Sequence, residues 1–238
     1  MFDLIAFDAD DTLWHNESLY RRGRELFRKM MAKYPLAGDI DELIHEIEIN
    51  NLEYFGYGVV SFVLSLIESA IDLTNGQVSN ADIQDLIDFS RDMISAEVKL
   101  FDHARETVEN ISVDFPLMLI TKGDLLHQQI KVEKSGLGDY FDYIEIVSDK
   151  KVSTYAVILQ RYDISPSRFL MVGNSLRSDI LPVIELGGWV VYVPNELTWM
   201  YENVDLPDVD YQRYYEVEHL GNIPGLLASL NPSSENYE

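Results

Sequence analysis

Residues 1–12 have the sequence MFDLIAFDADDT, and the prediction of the fold starts from them. Residues 2–7 form a short, nearly continuous apolar run, the pattern of a strand buried on both faces of a sheet. The run stops at Asp8, Asp10 and Asp11, three carboxylates within four residues. Open α/β sheets bind ligands at the carboxyl ends of their strands, and clustered carboxylates are costly without a cation. The stretch therefore predicts a site for a divalent metal.

The spacing of these carboxylates also suits catalysis. Asp8 could act as a nucleophile and Asp10, two residues on, as a general acid and base, with a metal between nucleophile and substrate. The alternative is a solvated acidic turn, the ordinary state of an Asp-rich loop. The return to apolar residues at Leu13 and Trp14 favours the site.

Composition excludes several classes of function. The 238 residues are 47% hydrophobic. They include 18 lysines and arginines and 41 aspartates and glutamates, which gives a net charge of −23. This balance argues against nucleic acid or an anionic membrane as partner, so a metal and a few lysines would have to attract an anionic substrate locally. Without cysteine there is no disulfide, thiol chemistry or zinc–thiolate site.

No stretch has the character of a targeting or membrane segment. The first residues include Asp3 and Asp8 where a signal peptide would have basic residues and a long apolar run. No apolar run approaches the ~20 residues that span a bilayer. We therefore expect a cytoplasmic protein.

The middle of the chain is helical in pattern. Four segments with apolar residues at helical spacing, and no strand-like run among them, lie at residues 16–34, 39–54, 59–73 and 79–100. Such a series predicts a helical bundle of its own, inserted as a cap over residues 15–100.

Strands and helices alternate after this insertion. The predicted strands are 116–120, 143–147, 169–172 and 189–193, and the predicted helices are 102–110, 125–135, 152–162, 176–186 and 223–230, before a frayed tail at 231–238. Alternation implies right-handed crossovers. The predicted fold class is α/β, a three-layer Rossmann-like parallel sheet core (1–14 and 101–238) with an inserted α-helical cap (15–100).

Polar motifs follow the later strands. At Thr121-Lys122-Gly123, a hydroxyl and backbone N–H groups could hold phosphate oxygens, or Thr121 could cap the next helix. A lysine of the pair Lys150-Lys151 could neutralise the nucleophile and a transferring phosphoryl group, unless the pair is only a basic surface patch.

The segment Gly173-Asn174-Ser175-Leu176-Arg177-Ser178-Asp179 follows the fourth predicted strand. The four motifs in this order resemble those of the haloacid dehalogenase-like hydrolase superfamily over residues 1–193, most of whose members are Mg²⁺-dependent phosphatases. In that family the position of Asn174 is usually acidic and ligates Mg²⁺; an amide oxygen can still ligate but brings no charge.

The resemblance implies roles for individual residues. The implied catalytic residues are Asp8, Asp10, Thr121 and Lys150; the phosphate-binding residues are Asp8, Asp11, Thr121, Lys122, Gly123 and Lys150; the Mg²⁺ ligands are Asp8, Asp10 through its carbonyl, Asn174 and Asp179, the last directly or through water. Members with a tyrosine five residues beyond the motif lysine match Lys150 and Tyr155, which favours Lys150 over Lys151. The proline that often follows this lysine is absent.

The implied reaction is hydrolysis of a small soluble phosphomonoester through an aspartyl-phosphate on Asp8. Dehalogenases of the family lack an acid/base carboxylate at the position of Asp10. A helical cap at the first insertion site implies a small phosphorylated metabolite as substrate, and the cap candidates for contact are Trp14, His15, Tyr54, Tyr57, Gly58 and Arg91. The alternatives are a phosphotransferase such as a sugar-phosphate mutase (phosphoglucomutase-like), and, because of Asn174, a non-catalytic binding protein. The expected state is monomer or homodimer.

Overall fold

The structure is a computed structural model that describes residues 2–36, 38–202, 204–206 and 212–230. Within these residues the strands are β1 (Leu4–Phe7), β2 (Leu117–Lys122), β3 (Tyr143–Val147), β4 (Phe169–Gly173), β5 (Trp189–Tyr192) and β6 (Tyr214–Glu216). They form one parallel sheet in the order β3-β2-β1-β4-β5-β6.

The helices lie between these strands and in the insertion. They are α1 (Glu17–Met31), α2 (Ile40–Phe55), α3 (Val59–Leu73), α4 (Asn80–Ser95), α5 (Ala104–Ser112), α6 (Leu125–Ser135), α7 (Val152–Arg161), α8 (Leu181–Glu185) and α9 (Ile223–Leu230). Of the helices that the structure describes, none is both long and apolar enough to cross a membrane.

The first strand lies at the centre of the sheet and is buried on both faces. Ile5 and Phe7 pack into the apolar layer that includes α5 and α9, whereas Leu4 and Ala6 pack into the layer that includes α7. All four residues are fully buried, which explains why the strand is continuously apolar instead of alternating. The predicted three-layer α/β fold is confirmed.

Strand register brings the predicted motifs to one edge of the sheet. Phe7 of β1 lies opposite Leu119 of β2 and Val172 of β4. Asp8 therefore follows β1 at the same edge where Thr121 ends its strand and Asn174 begins the loop after β4. Helices α1 to α4 form a separate apolar cluster whose buried members lie between Phe27 and Met93.

The insertion joins the sheet through two short paired segments. The N–H of His15 donates to the carbonyl of Lys99 (2.9 Å), and the N–H of Phe101 donates to that of Leu13 (3.0 Å). This pairing gives a reason why α4 ends at Ser95 and not at residue 100 as predicted, since residues 96–100 are needed in extended form. The domain bounds 1–14, 15–100 and 101–238 stay a prediction.

Two elements differ from the predicted pattern. The predicted helix 176–186 starts with a π-helical turn over Leu176–Ile180 before α8. Strand β6 was missed because three residues are too few to show a period of two. The predicted tail at 231–238 lies outside the described residues.

Candidate active site

The loop after β1 folds back on itself and holds Asp8 in place. Asp8 is 6% exposed, and its Oδ2 accepts a hydrogen bond from the Thr12 hydroxyl at 2.7 Å. Asp11 adopts a positive φ of 61°, and its N–H donates to the carbonyl of Trp14 at 2.8 Å. The turn gives Asp8 a fixed position at the end of the central strand.

A buried lysine lies between two carboxylates at this edge. Lys150 Nζ is 2.5 Å from Asp8 Oδ1 and 2.7 Å from Asp179 Oδ1. Asp179 Oδ2 accepts the N–H of Ser175 at 3.0 Å. We call Asp8, Lys150 and Asp179 the core cluster; each of its carboxylate oxygens has a hydrogen-bond donor.

The electrostatics of the core cluster follow from its burial. Burial raises the pKa of the Asp8 carboxyl to about 7, against the opposing effect of the Lys150 charge. Burial also opposes the charge of Lys150, yet Asp179 and Asp8 together raise its pKa above the ordinary value. Lys150 is therefore a permanent cation beside the predicted nucleophile.

The structure separates the two lysines that the sequence left open. The Lys150 side chain is 1% exposed, whereas that of Lys151 is 70% exposed and pairs with Asp149 at 2.9 Å. Tyr155 is fully buried and donates to the carbonyl of Ser178 at 3.0 Å. Lys150 lies against Asp8, and Lys151 does not.

Glycine is required where β4 ends. A Cβ on Gly173 would lie 2.3 Å from Asp179 Oδ2, so a larger residue would displace the carboxylate. This close approach lets the loop place Asn174 and Asp179 on the same side of the sheet edge.

The amide of Asn174 has a defined orientation. Its Nδ2 donates to Thr198 Oγ1 at 3.1 Å, and the Thr198 hydroxyl donates in turn to the carbonyl of Asn195. Asn174 Oδ1 therefore faces Thr12, whose hydroxyl is 3.2 Å away. Thr12 has one proton and a shorter contact with Asp8, so among the described residues Asn174 Oδ1 has only this longer contact with the Thr12 hydroxyl.

Magnesium prefers oxygen ligands, and these donors fit that preference. Carboxylate oxygens of Asp8 and Asp179 and the amide oxygen of Asn174 lie in the same region. Within the described ranges, no group of three or more His, Cys, Asp or Glu side chains could hold a metal ion. Because Asn174 is neutral, the negative charge of this set of ligands comes from the side chains of Asp8 and Asp179.

Asp10 has partners that the sequence did not indicate. Lys131 Nζ lies 2.8 Å from both carboxylate oxygens, Trp14 Nε1 donates at 2.7 Å and Gln128 Nε2 at 3.1 Å. Burial on its own would raise the pKa of Asp10, but Lys131 and these hydrogen bonds hold it below the ordinary value. Gln128 also donates to Thr121 Oγ1 at 2.5 Å, which links the first two motifs.

Asp11 has a structural set of partners. Its Oδ1 accepts the N–H groups of Asn16 and Glu17, both at 3.0 Å, and so caps the start of α1. Burial raises the pKa of Asp11 to about 7, although these hydrogen bonds oppose the rise. Its N–H and carboxylate are both engaged, and the contact of Asp11 with phosphate stays a prediction.

Lys122 and Gly123 line the same cavity and have partners within the chain. Lys122 Nζ donates to Ser178 Oγ at 2.8 Å and pairs with Glu202, whose carboxylate also accepts from the Ser175 and Ser178 hydroxyls. The Gly123 N–H donates to the carbonyl of Val147 at 3.2 Å. The Lys122 ammonium and the Gly123 N–H therefore have partners within the chain, and the contact of the two backbone N–H groups with phosphate stays a prediction.

The cap candidates divide into two groups. Tyr57 and Gly58 line a cavity above the core cluster, and Lys122 Nζ lies 4.1 Å from the centre of the Tyr57 ring. The other four do not line it. Trp14 bonds to Asp10, His15 packs on Phe101, Tyr54 is 77% exposed, and Arg91 pairs with Asp88.

This cavity is the meeting point of the sheet and the insertion. It has about 1000 Å³ of space, open to solvent, and its walls include Asp8, Asp10, Thr121 and Lys150. The sequence missed Lys131, Gln128 and Glu202. The first two lie 121 and 118 residues from Asp10, and Glu202 lies 80 residues from Lys122. Lys131 and Gln128 share one face of α6, and no local signal marks that face as functional.

Known proteins resemble this chain in sequence and in fold. The family model described as "haloacid dehalogenase-like hydrolase" matches residues 2–187. A pyrimidine 5'-nucleotidase of Escherichia coli is 27% identical over 78% of this chain and 83% of its own, and a human N-acylneuraminate-9-phosphatase is 21% identical over 95% and 94%.

Solved structures give the same result. A haloacid dehalogenase-like family hydrolase from Xanthomonas campestris superposes with a TM-score of 0.86 at 38% identity, covering 97% of this chain and 92% of its own. An L-2-haloacid dehalogenase from Xanthobacter autotrophicus, at 15% identity and TM-score 0.67 over 97% and 100%, shares the fold. The chain belongs to the haloacid dehalogenase-like hydrolase family.

Proposed function

We propose that the protein is a Mg²⁺-dependent phosphatase that hydrolyses a small soluble phosphomonoester through an aspartyl-phosphate on Asp8. The observation that carries the proposal is the arrangement of Asp8 and Asp10 in one cavity. Asp8 lies beside the Lys150 cation, and Asp10 provides a second carboxylate two residues away. The names of the sequence relatives, a nucleotidase and a phosphatase, agree with this reaction.

The second carboxylate argues against dehalogenation, although a dehalogenase shares the fold. A phosphomonoester needs a proton on its leaving oxygen, and Asp10 is placed to supply one. Dehalogenases of the family lack a carboxylate at this position. The phosphatase is therefore the better match for this chain.

The magnesium site would use Asp8, the Asp10 carbonyl, Asn174 and Asp179. When bound, the ion supplies positive charge against the phosphoryl oxygens and aligns them for attack. The amide oxygen of Asn174, whose contact with the Thr12 hydroxyl is 3.2 Å long, supports this assignment.

The residues of the chain would divide the reaction between them. Asp8 attacks phosphorus, and Lys150 and Thr121 stabilise the charge on the phosphoryl oxygens. The protonated form of Asp10 would give its proton to the departing alcohol, and the carboxylate so formed would then take a proton from the water that attacks the aspartyl-phosphate, which restores the protonated form. Lys131 and Gln128 hold the Asp10 carboxylate in the cavity wall throughout. They are positioning residues.

The test is hydrolysis of an aryl phosphate with Mg²⁺, with EDTA, and by Asp8→Asn. We expect phosphate release that requires Mg²⁺ and that is absent in the Asp8→Asn variant. Asp139→Asn, on an exposed turn, is the matched control and should keep full activity. Turnover that continues in the presence of EDTA, or that the Asp8→Asn variant retains, would contradict the proposal. The cytoplasmic location and the monomeric or homodimeric state stay predictions.

A further inference from the structure

The insertion end of the cavity carries a second group of charges. Arg24 on α1 donates from Nε and one terminal nitrogen to Glu48 on α2, at 3.3 and 3.0 Å. Its other terminal nitrogen lies 2.8 Å from Oε1 of Glu17. We call Glu17, Arg24 and Glu48 the insertion cluster; all three line the same cavity as Asp8.

The insertion cluster is buried and leaves an acceptor unused. Glu17 is 8% exposed and Glu48 is 6% exposed. Both oxygens of Glu48 are bonded to Arg24, but in the described part of the chain no donor bonds to Glu17 Oε2. Burial raises the pKa of Glu17 to about 7, although Arg24 opposes the rise. A donor from a ligand would stabilise the ionised form.

A second polar group that lines this cavity also has no partner among the described residues. Ser61 on α3 is 5% exposed and lines the cavity, and its hydroxyl has no hydrogen bond among the residues that the structure describes. Only its carbonyl is used, by the Ser65 hydroxyl at 2.9 Å. Buried polar groups normally have partners, so two open positions in one cavity indicate a ligand.

The charge of the wall restricts that ligand. One guanidinium between two carboxylates has a formal charge of −1 with both ionised, and Arg24 already bonds to both acids. An anionic leaving group would meet repulsion at this wall, since like charges brought together at a buried interface cost several kcal/mol. An uncharged group with O–H or N–H donors would satisfy Glu17 and Ser61.

We propose that the insertion cluster selects phosphomonoesters whose leaving group is uncharged and donates hydrogen bonds, with Glu17 and Ser61 as its partners. This inference rests on the proposed function, because it assigns the phosphoryl group to the core cluster. It makes Glu17 a specificity residue in the same cavity as the predicted nucleophile.

Two matched pairs of esters test the inference. The pairs differ in the size of the leaving group, so the test does not depend on the distance between the phosphoryl site and the insertion cluster. Glycerol 3-phosphate and 3-phosphoglycerate differ in one carboxylate, as do uridine and orotidine 5'-monophosphate. Calorimetric binding of each ester with Mg²⁺ to Asp8→Asn measures selection separately from turnover. We expect the uncharged member of at least one pair to bind about tenfold or more tightly. The pair that discriminates shows whether a polyol or a nucleoside fits.

Variants then assign the discrimination to the insertion cluster. Above the pKa of Glu17, Glu17→Gln in the Asp8→Asn background should bring the ratio of Kd values to within about threefold. Glu25→Gln, on the exposed side of α1, should keep the full ratio. Equal binding of both members, no binding of either, or an unchanged ratio in Glu17→Gln would overturn the inference.

Ser61→Ala covers the case in which Glu17→Gln disturbs the fold. Because no hydrogen bond to the hydroxyl is lost, its thermal stability should be unchanged, whereas binding of the uncharged ester should weaken about two- to tenfold. Equal losses for both esters, or none, would contradict the role of Ser61. Failure of the proposed function appears differently, as absence of metal-dependent turnover by the wild-type protein on any ester.

Discussion

The core cluster and the insertion cluster lie in one cavity and have the same arrangement of charges, but they differ in how completely their carboxylates are hydrogen-bonded. The core cluster and the insertion cluster each place one cation between two carboxylates. In the core cluster every carboxylate oxygen has a donor, supplied by Lys150, Thr12 and a backbone N–H. In the insertion cluster, Oε2 of Glu17 has no donor within the described part of the chain. The closed cluster fixes the position of a reactive group, whereas the open one leaves a contact for the substrate.

Removing the cation of the core cluster should have the largest effect. Lys150→Met would leave Asp8 and Asp179 buried without a counter-charge, a loss that destabilises proteins by about 3–5 kcal/mol. Activity on the aryl phosphate should fall by about a thousandfold or more, because the charge beside the transferring group is also lost. Urea unfolding and steady-state kinetics measure the two effects.

Lys151→Met is the matched control for this change. It removes an exposed lysine, so stability should stay within about 0.5 kcal/mol and activity should be kept. Equal effects at the two lysines would refute the assignment of Lys150.

Removing the cation of the insertion cluster should destabilise the protein less. Arg24→Met leaves Glu17 and Glu48 unpaired, but the Arg24 side chain is 17% exposed and water can reach the site. We expect a loss of about 2–3 kcal/mol in urea unfolding, near the lower end of the range for broken buried pairs. Arg21→Met, exposed on the same helix, is the control. A larger loss than in Lys150→Met would reverse the comparison.

Removing the cation beside Asp10 should slow catalysis. Lys131→Met removes two hydrogen bonds that orient the carboxylate, so kcat should fall by about tenfold while KM changes little. Lys131→Arg should recover part of kcat by restoring the charge. An unchanged kcat would show that Lys131 does not position Asp10, and Lys99→Met, on an exposed segment, controls for the loss of charge.

The smallest expected change concerns the neutral ligand position. Asn174→Asp would add a carboxylate to the core cluster, and we expect the Mg²⁺ concentration for half-maximal activity to fall about fivefold, as for ~1 kcal/mol of added attraction. Asn174→Ala should raise it. If Asn174→Asp leaves the Mg²⁺ dependence unchanged, the residue is not a ligand.

Part of the site could be predicted because its residues lie at strand ends. Asp8, Thr121 and Asn174 each follow an apolar run, and parallel strands carry such positions to one edge. The choice between Lys150 and Lys151 could not be made from periodicity, because both follow the same strand and only the packing of Tyr155 and Asp179 decides which one turns inward. The roles of Asp11 and Lys122 depend on partners at α1 and Glu202, which no local pattern indicates.

The α/β class, the helical insertion and the family could be predicted from the sequence alone. A strand that is buried on both faces of a sheet is a run of consecutive apolar residues, and the motifs follow such runs directly. The tertiary structure decided which side chains meet across the cavity. Lys131 with Asp10, and Arg24 with Glu17 and Glu48, are ion pairs of charged helix residues that look like ordinary surface positions until the helices pack. Hydrophobic periodicity records which face of a helix is buried, but not which charged side chains that burial brings together.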